Sequence, residues 1–150
     1  MSKNIKIKEG DVFVLSDITF ENEEVVSLNN PHRLAKVIFI SKMTKQMIAI
    51  TVSKDIFEEI PDNVEDVAFS DEIFYTGSQL LKSGEWKIIG SQLVVEREKN
   101  LTLRMVGSSL YLLDEYLGVV PNNERKKYNK QLISGVEALY YKVNRTQSVF

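Results

Sequence analysis

Any acid–base, nucleophilic or metal chemistry in this chain has to come from its ionisable and hydroxyl side chains, and the single histidine, His32, is the first to weigh. An imidazole can act as a general base, but no serine or threonine beside His32 completes a recognisable nucleophile motif. The chain has no cysteine, which excludes disulfides, thiolate metal sites and cysteine nucleophiles. A zinc site would have to be built from His32 and carboxylates alone, a poor match for that ion. His32 follows Pro31 at the entrance of an apolar run and reads as a strand-end residue. The adjacent carboxylates Glu58-Glu59 and Asp71-Glu72 would suit acid–base hydrolysis only if one of each pair sat in an apolar pocket that raised its pKa. The calcium-loop spacing is not met, although acids in this region could hold a hard cation loosely. Neither G-x-x-x-x-G-K-S/T nor G-x-G-x-x-G occurs. No catalytic set, cofactor or resident metal is expected.

Charge distribution is more informative than charge type. Between Asp55 and Glu72 the chain reads DIFEEIPDNVEDVAFSDE, with acids at Asp55, Glu58, Glu59, Asp62, Glu65, Asp66, Asp71 and Glu72 and no lysine or arginine. These eight belong to 21 acids in all, leaving 13 against 19 basic groups elsewhere, although the net charge is only −2. The bland reading is a solvated loop and short helix anchored by Ile56, Phe57, Ile60 and Pro61. The functional reading is a negative surface for a basic partner, which speeds association and disfavours wrong partners. The opposite cluster, Arg125, Lys126, Lys127 and Lys130 in ERKKYNK, could contact phosphates, or form the solvated side of a helix. A sequence pI of about 5.5 argues against a dedicated nucleic-acid binder.

The elements that must position these groups read as mostly β, closed by one helix. The 150 residues suit one domain, and the 43% hydrophobic and 27% charged fractions are those of a globular protein. No apolar run of about 18 residues is present, and the N-terminus lacks a secretory h-region, so a cytoplasmic location without membrane contact is expected. IKIKEGDVFVL suggests two short strands around Glu9-Gly10-Asp11. Residues 16–33 suggest a loop or irregular hairpin, ending in the turn signal Asn29-Asn30-Pro31. RLAKVIFIS and QMIAITVS form the clearest hairpin, apolar enough to be central and buried on both faces. DEIFYTGSQLL and EWKIIGSQLVV are expected as strands joined at Lys82-Ser83-Gly84, and NLTLRMVGSSLYLLDEYLGVV as two more turning at Gly107-Ser108-Ser109. Leu132, Val136, Leu139, Tyr140 and Val143 then share one helical face, predicting a helix from about Asn123 to Val143 packed on the sheet, with Gly135 a weak point of about 1 kcal/mol. The expected fold is α+β: a strongly bent antiparallel β-sheet or partly open β-barrel of about six to eight strands with a C-terminal helix.

Trp86, the only tryptophan, follows a turn glycine. It reads as a packed cross-strand aromatic, with a ligand-stacking platform as the sharper alternative. The blocks KIKEGDVFVL, IFYTGSQLLKSGEWKIIGSQ and LTLRMVGSSLYL resemble the immunity protein 26 family of bacterial polymorphic-toxin systems. That family opens with K-x-G-D-x-F, here Lys8, Gly10, Asp11 and Phe13. It carries a later G-x-W-x-x-I-G, here Gly84, Trp86, Ile89 and Gly90. The resemblance covers roughly residues 5 to 115 and is weakest between Leu15 and Arg33 and after Pro121. It implies a non-enzymatic antidote that binds and blocks a cognate toxin domain, with no catalytic residues to transfer. Were the toxin a nuclease, the acids at Asp55 to Glu72 would take the place of phosphates in its basic groove. The alternative is a small β-barrel that binds nucleic acid through Arg125, Lys126, Lys127, Lys130 and an exposed Trp86. A hydrolase using His32 with a carboxylate is the least favoured reading.

Overall fold

The computed structural model describes residues 5–15, 18–21, 24–28, 32–44, 46–57, 59–135 and Leu139, of which 18–21, 24–28 and His32 are described by their backbone alone. In chain order the strands are β1 (Asp11–Leu15), β2 (Ile18–Glu21), β3 (Glu24–Leu28), β4 (His32–Ile40), β5 (Met47–Phe57) and β6 (Phe74–Gly77). A short helix α1 (Gln79–Ser83), strand β7 (Ile88–Ser91) and helix α2 (Glu96–Asn100) follow. Strands β8 (Arg104–Val106), β9 (Ser109–Leu112) and β10 (Glu115–Val119), a 3-10 turn (Asn122–Lys127) and β11 (Ile133–Ser134) complete the order. The protein is mostly β-sheet with a few short helices. Its main sheet has six strands in the order β11-β6-β5-β4-β1-β7 and does not close into a barrel. A three-stranded sheet β10-β9-β8 and the β2-β3 hairpin accompany it.

The hairpin expected from RLAKVIFIS and QMIAITVS forms as β4 and β5, antiparallel and central. Their apolar runs follow from burial on both faces, which the period of two then divides. Phe13 and Leu15 of β1, Ala35 and Val37 of β4, Ile48, Ile50 and Val52 of β5 and Phe74 of β6 pack on one side with Leu81, Trp86 and Leu139. Val12, Val14 and Leu34 point the other way, onto Val64 and Phe69, beside a second patch containing Ile38, Met47, Ala49 and Tyr75. Two register shifts between β4 and β5 and one between β1 and β7 mark bulges in the ladder.

Several expected elements differ. Gln79–Ser83 is helical, where Gln79–Leu81 was expected as strand and Lys82-Ser83 as part of the joint, and the turn tucks Leu81 fully into the core. The main chain there is held from outside the sheet: the Trp86 N–H donates to the Leu80 carbonyl at 2.9 Å, and the Ile5 N–H to Lys82 at 3.0 Å. Residues 5–8 form no strand, and LYLLDEYLGVV divides into β9 and β10 about a turn at Leu113 and Asp114. Of the helix expected over Asn123–Val143, the stretch Asn123–Gly135 is not α-helical. After the 3-10 turn the chain extends, and Ile133 and Ser134 pair in parallel with Tyr75 and Thr76. Two open edges explain this. The Met105 N–H donates to Asn129 and the Gln131 N–H to Met105, both at 2.8 Å, while Thr76 Oγ1 donates to the Ser134 carbonyl at 2.7 Å. Filling the ladders of β6 and β8 satisfies backbone groups that a helix would leave open to other chains. Leu132, expected on the packed helix face, is 63% exposed. Leu139 is helical and buried, and Val136, Tyr140 and Val143 lie outside the described residues.

Trp86 is a core residue, 1% exposed, with its ring stacked on Phe13 at 5.3 Å between centroids. Trp86→Ala should therefore cost about 3–5 kcal/mol and lower the denaturation midpoint accordingly. An unchanged midpoint in chemical unfolding would contradict this placement.

Candidate functional site

The connection from β5 to β6 carries most of the acidic run. Asp55 stands exposed near the end of β5, where its carbonyl accepts a 2.7 Å bond from Ser53 Oγ. Glu59, Asp62, Glu65 and Asp66 are all exposed along an irregular loop, and Glu58 lies outside the described residues. Among its described residues this segment forms no helix, and its backbone is anchored from beneath. Val64 and Phe69 are buried beneath it, and three of its carbonyls are taken by one side chain. Gln92 Nε2 donates to Val64 at 2.9 Å, Glu65 at 3.2 Å and Val67 at 3.0 Å. The Glu65 N–H is held by Asn63 Oδ1 at 2.9 Å.

Gln92 is itself positioned by a buried lysine. Lys36 lies on the second face of β4 between Leu34 and Ile38 and is 1% exposed. Its Nζ donates to Gln92 Oε1 at 2.9 Å, to the Leu93 carbonyl at 2.8 Å and to Glu98 at 2.8 and 3.1 Å, and lies 5.9 Å from the centre of the Phe69 ring. Glu98 occupies the first turn of α2 and also accepts the Val95 N–H at 3.1 Å, the carboxylate half of a capping box. One cation thus joins the sheet centre, the start of α2 and the underside of the acidic loop.

The blocks around Gly10-Asp11 and Trp86–Gly90 meet at the same place. β1 and β7 pair with Val12 opposite Gly90 and Phe13 opposite Ile88. Asp11 Oδ2 accepts the Lys8 N–H at 2.7 Å, closing the turn in which Gly10 adopts φ +95°. A Cβ on Gly10 would fall 2.5 Å from the Gln92 carbonyl oxygen, and one on Gly90 would fall 2.6 Å from Val64. These glycines therefore let Gln92 and Val64 approach the sheet, and the motif residues act by building the seat of the loop.

The far end of the acidic run behaves differently. Asp71 forms an ion pair with Arg97 of α2, both side chains about two-thirds exposed, so the run is not free of basic partners in space. Asp71 and Glu72 border a cavity of about 730 Å³ that Arg125, Lys126 and Lys130 also line. Lys127 instead lies 3.7 Å from Glu124 along the 3-10 turn. At the cavity wall is Arg104, 1% exposed, with Nε donating to Gln131 Oε1 at 3.0 Å and Nη1 to the carbonyls of Thr102, at 3.2 Å, and Leu113. Three rings surround its guanidinium, those of Tyr75, Phe39 and Tyr111 at 5.4, 5.8 and 5.9 Å. Burial lowers the Arg104 pKa from its ordinary value and pushes Tyr75 up to about 12, an effect that the Arg104 charge opposes.

His32 pairs by its backbone with Phe57 at the end of the β4–β5 ladder. With Trp86 buried, the stacking surface of the nucleic-acid alternative is not available at that residue. Among the described residues no helix is long and apolar enough to cross a membrane. Sequence reasoning missed Lys36, Gln92, Glu98 and Arg104. The available signal was a lysine and an arginine inside apolar strands, where only a partnered charge can sit. Compared with known proteins, the chain matches no family model, no curated protein and no solved structure.

Lys36→Met should cost about 3–5 kcal/mol, because it leaves Glu98 buried without its cation, whereas Lys36→Met with Glu98→Leu should regain most of that loss. A double variant no more stable than the single one would contradict a pairing role. Tyr75 has a folded pKa above its unfolded value, so folding stability is fully present below about pH 10 and falls as pH rises towards 12. That contribution should total roughly 2–3 kcal/mol, and the fall in stability between about pH 9 and 12 should be smaller by that amount in Tyr75→Phe, measured by chemical unfolding.

Proposed function

We propose that this chain is an immunity-type protein that binds a cognate toxin domain and blocks it without catalysis, using the acidic loop as its contact surface. The observation that carries this reading is the loop's combination of an exposed acidic outer side and an anchored underside. Asp55, Glu59, Asp62, Glu65 and Asp66 face solvent, while Gln92, Val64 and Phe69 hold the backbone beneath them. Long irregular connections inside a packed protein are uncommon and are usually functional. Fixing the carboxylates before contact reduces the ordering cost of binding, and their shared sign steers a basic partner. A nuclease is the toxin best suited to such a surface, since the groove that receives phosphates is basic. The resemblance of Lys8, Gly10, Asp11 and Phe13, with Gly84, Trp86, Ile89 and Gly90, to the immunity protein 26 family points the same way. A cytoplasmic site of action accords with it.

Co-expression with its cognate toxin domain should relieve that toxin's growth arrest, and the purified pair should associate more slowly as salt rises. Replacing Glu59, Glu65 and Asp66 together by lysine should weaken binding by about tenfold or more, roughly 1.4 kcal/mol, with the difference shrinking at high salt. Gln92→Ala leaves every charge in place but frees three loop carbonyls, and should weaken binding while raising hydrogen exchange across 64–67. Persistent growth arrest would defeat the immunity reading. Binding indifferent to both salt and the lysine substitutions would defeat the role of the acidic loop.

A further inference from the structure

The basic cavity lies outside the acidic loop's contact surface and has a chemistry of its own. Its cations come from two segments distant in sequence: Arg104 from β8, and Arg125, Lys126 and Lys130 from the chain leading to β11. Two carboxylates share the lining, Asp71 and Glu72, and Asp71 is already engaged by Arg97. Positive charge is therefore in excess. Arg104 is the decisive residue. It is 1% exposed, the hydrogen-bond acceptors that hold it are all neutral, and its Nη2 finds no hydrogen-bond partner among the described residues. Burying a guanidinium and leaving one of its donors unsatisfied is costly, and an anion is the group that would complete it.

We propose that this cavity is a binding site for a small phosphorylated ligand with a planar apolar body, of the nucleoside monophosphate kind. A phosphate presents several acceptor oxygens to a planar guanidinium and to nearby ammonium groups, which are the donors offered here. The rest of the lining suits the body of such a ligand, with Phe74, Tyr75 and Tyr128 beside Leu101, Leu103 and Leu132. A volume of about 730 Å³ lies within the range of about 300–1,000 Å³ usual for small-molecule sites. The inference is independent of toxin binding, because it uses none of the carboxylates between Asp55 and Asp66.

Calorimetric titration of the full chain with the four nucleoside 5′-monophosphates tests it, with the matching nucleosides, inorganic phosphate and a short single-stranded oligonucleotide as controls. At least one monophosphate should bind, about tenfold or more tighter than its nucleoside and than phosphate alone. Lys126→Glu with Lys130→Glu changes two exposed side chains, and should reduce that affinity about tenfold or more without moving the melting midpoint. Arg104→Lys keeps the charge but loses the planar fork, and should weaken binding as well. Failure of all four monophosphates to bind at millimolar concentration would overturn the proposal. So would affinity untouched by the lysine reversals, or binding confined to the oligonucleotide.

Discussion

A lysine ammonium at the centre of a doubly covered sheet is the constraint that organises this protein. Lys36 occupies a position on β4 where neither face reaches water, so its charge must be met by protein groups or the strand cannot stay central. The partners it takes are a carboxylate from α2, an amide oxygen from the chain after β7 and the Leu93 carbonyl. Meeting that demand fixes where α2 starts, since Glu98 serves both Lys36 and the Val95 N–H. It also fixes which way the Gln92 amide points. With its oxygen on Lys36, its nitrogen is left facing the carbonyls of the β5–β6 connection. The exposed carboxylates of that connection are thus supported, through one amide, by a charge inside the core.

Arg104 is a second buried cation with a different solution. Neutral acceptors and three aromatic rings replace a carboxylate, and the nearby Asp114 is committed elsewhere, accepting from Ser41 Oγ at 2.8 Å and from the Lys42 N–H at 2.7 Å. Lys36 therefore sits in a closed network, while Arg104 stands at a cavity wall with donor capacity to spare. The two cations divide the molecule's polar interior into a part that holds structure and a part suited to a ligand. Both lie on the sheet face opposite Trp86, whose own face is packed with aliphatic and aromatic side chains.

Much of the scaffold was legible in the residues. The β4–β5 hairpin declared itself because a strand buried on both faces needs an unbroken apolar run, and Trp86 because a large aromatic beside a strand usually packs. The glycines read as turn residues, and only the structure shows that Gly10 and Gly90 also admit Gln92 and Val64. The acidic run was visible as composition, and its exposure follows from the cost of burying carboxylates. Local pattern failed where long-range pairing competes with it. The apolar spacing from Leu132 to Val143 is helical, yet Ile133 and Ser134 serve as a strand because the edge of β6 offers backbone partners that no local period records.

By itself, then, the sequence determined the β-rich class, the central hairpin, the packed tryptophan and the one-signed stretch from Asp55 to Glu72, since each depends on the type and order of neighbouring residues. Tertiary structure alone decided which charges meet. Lys36 and Glu98 lie 62 positions apart in the chain yet 2.8 Å apart in space, Asp71 finds Arg97, and Arg104 joins Arg125, Lys126 and Lys130 around one cavity. Side-chain charge is written in the residue, but its partner is set by folding, because Coulomb and hydrogen-bond energies depend on separation and burial rather than on distance along the chain.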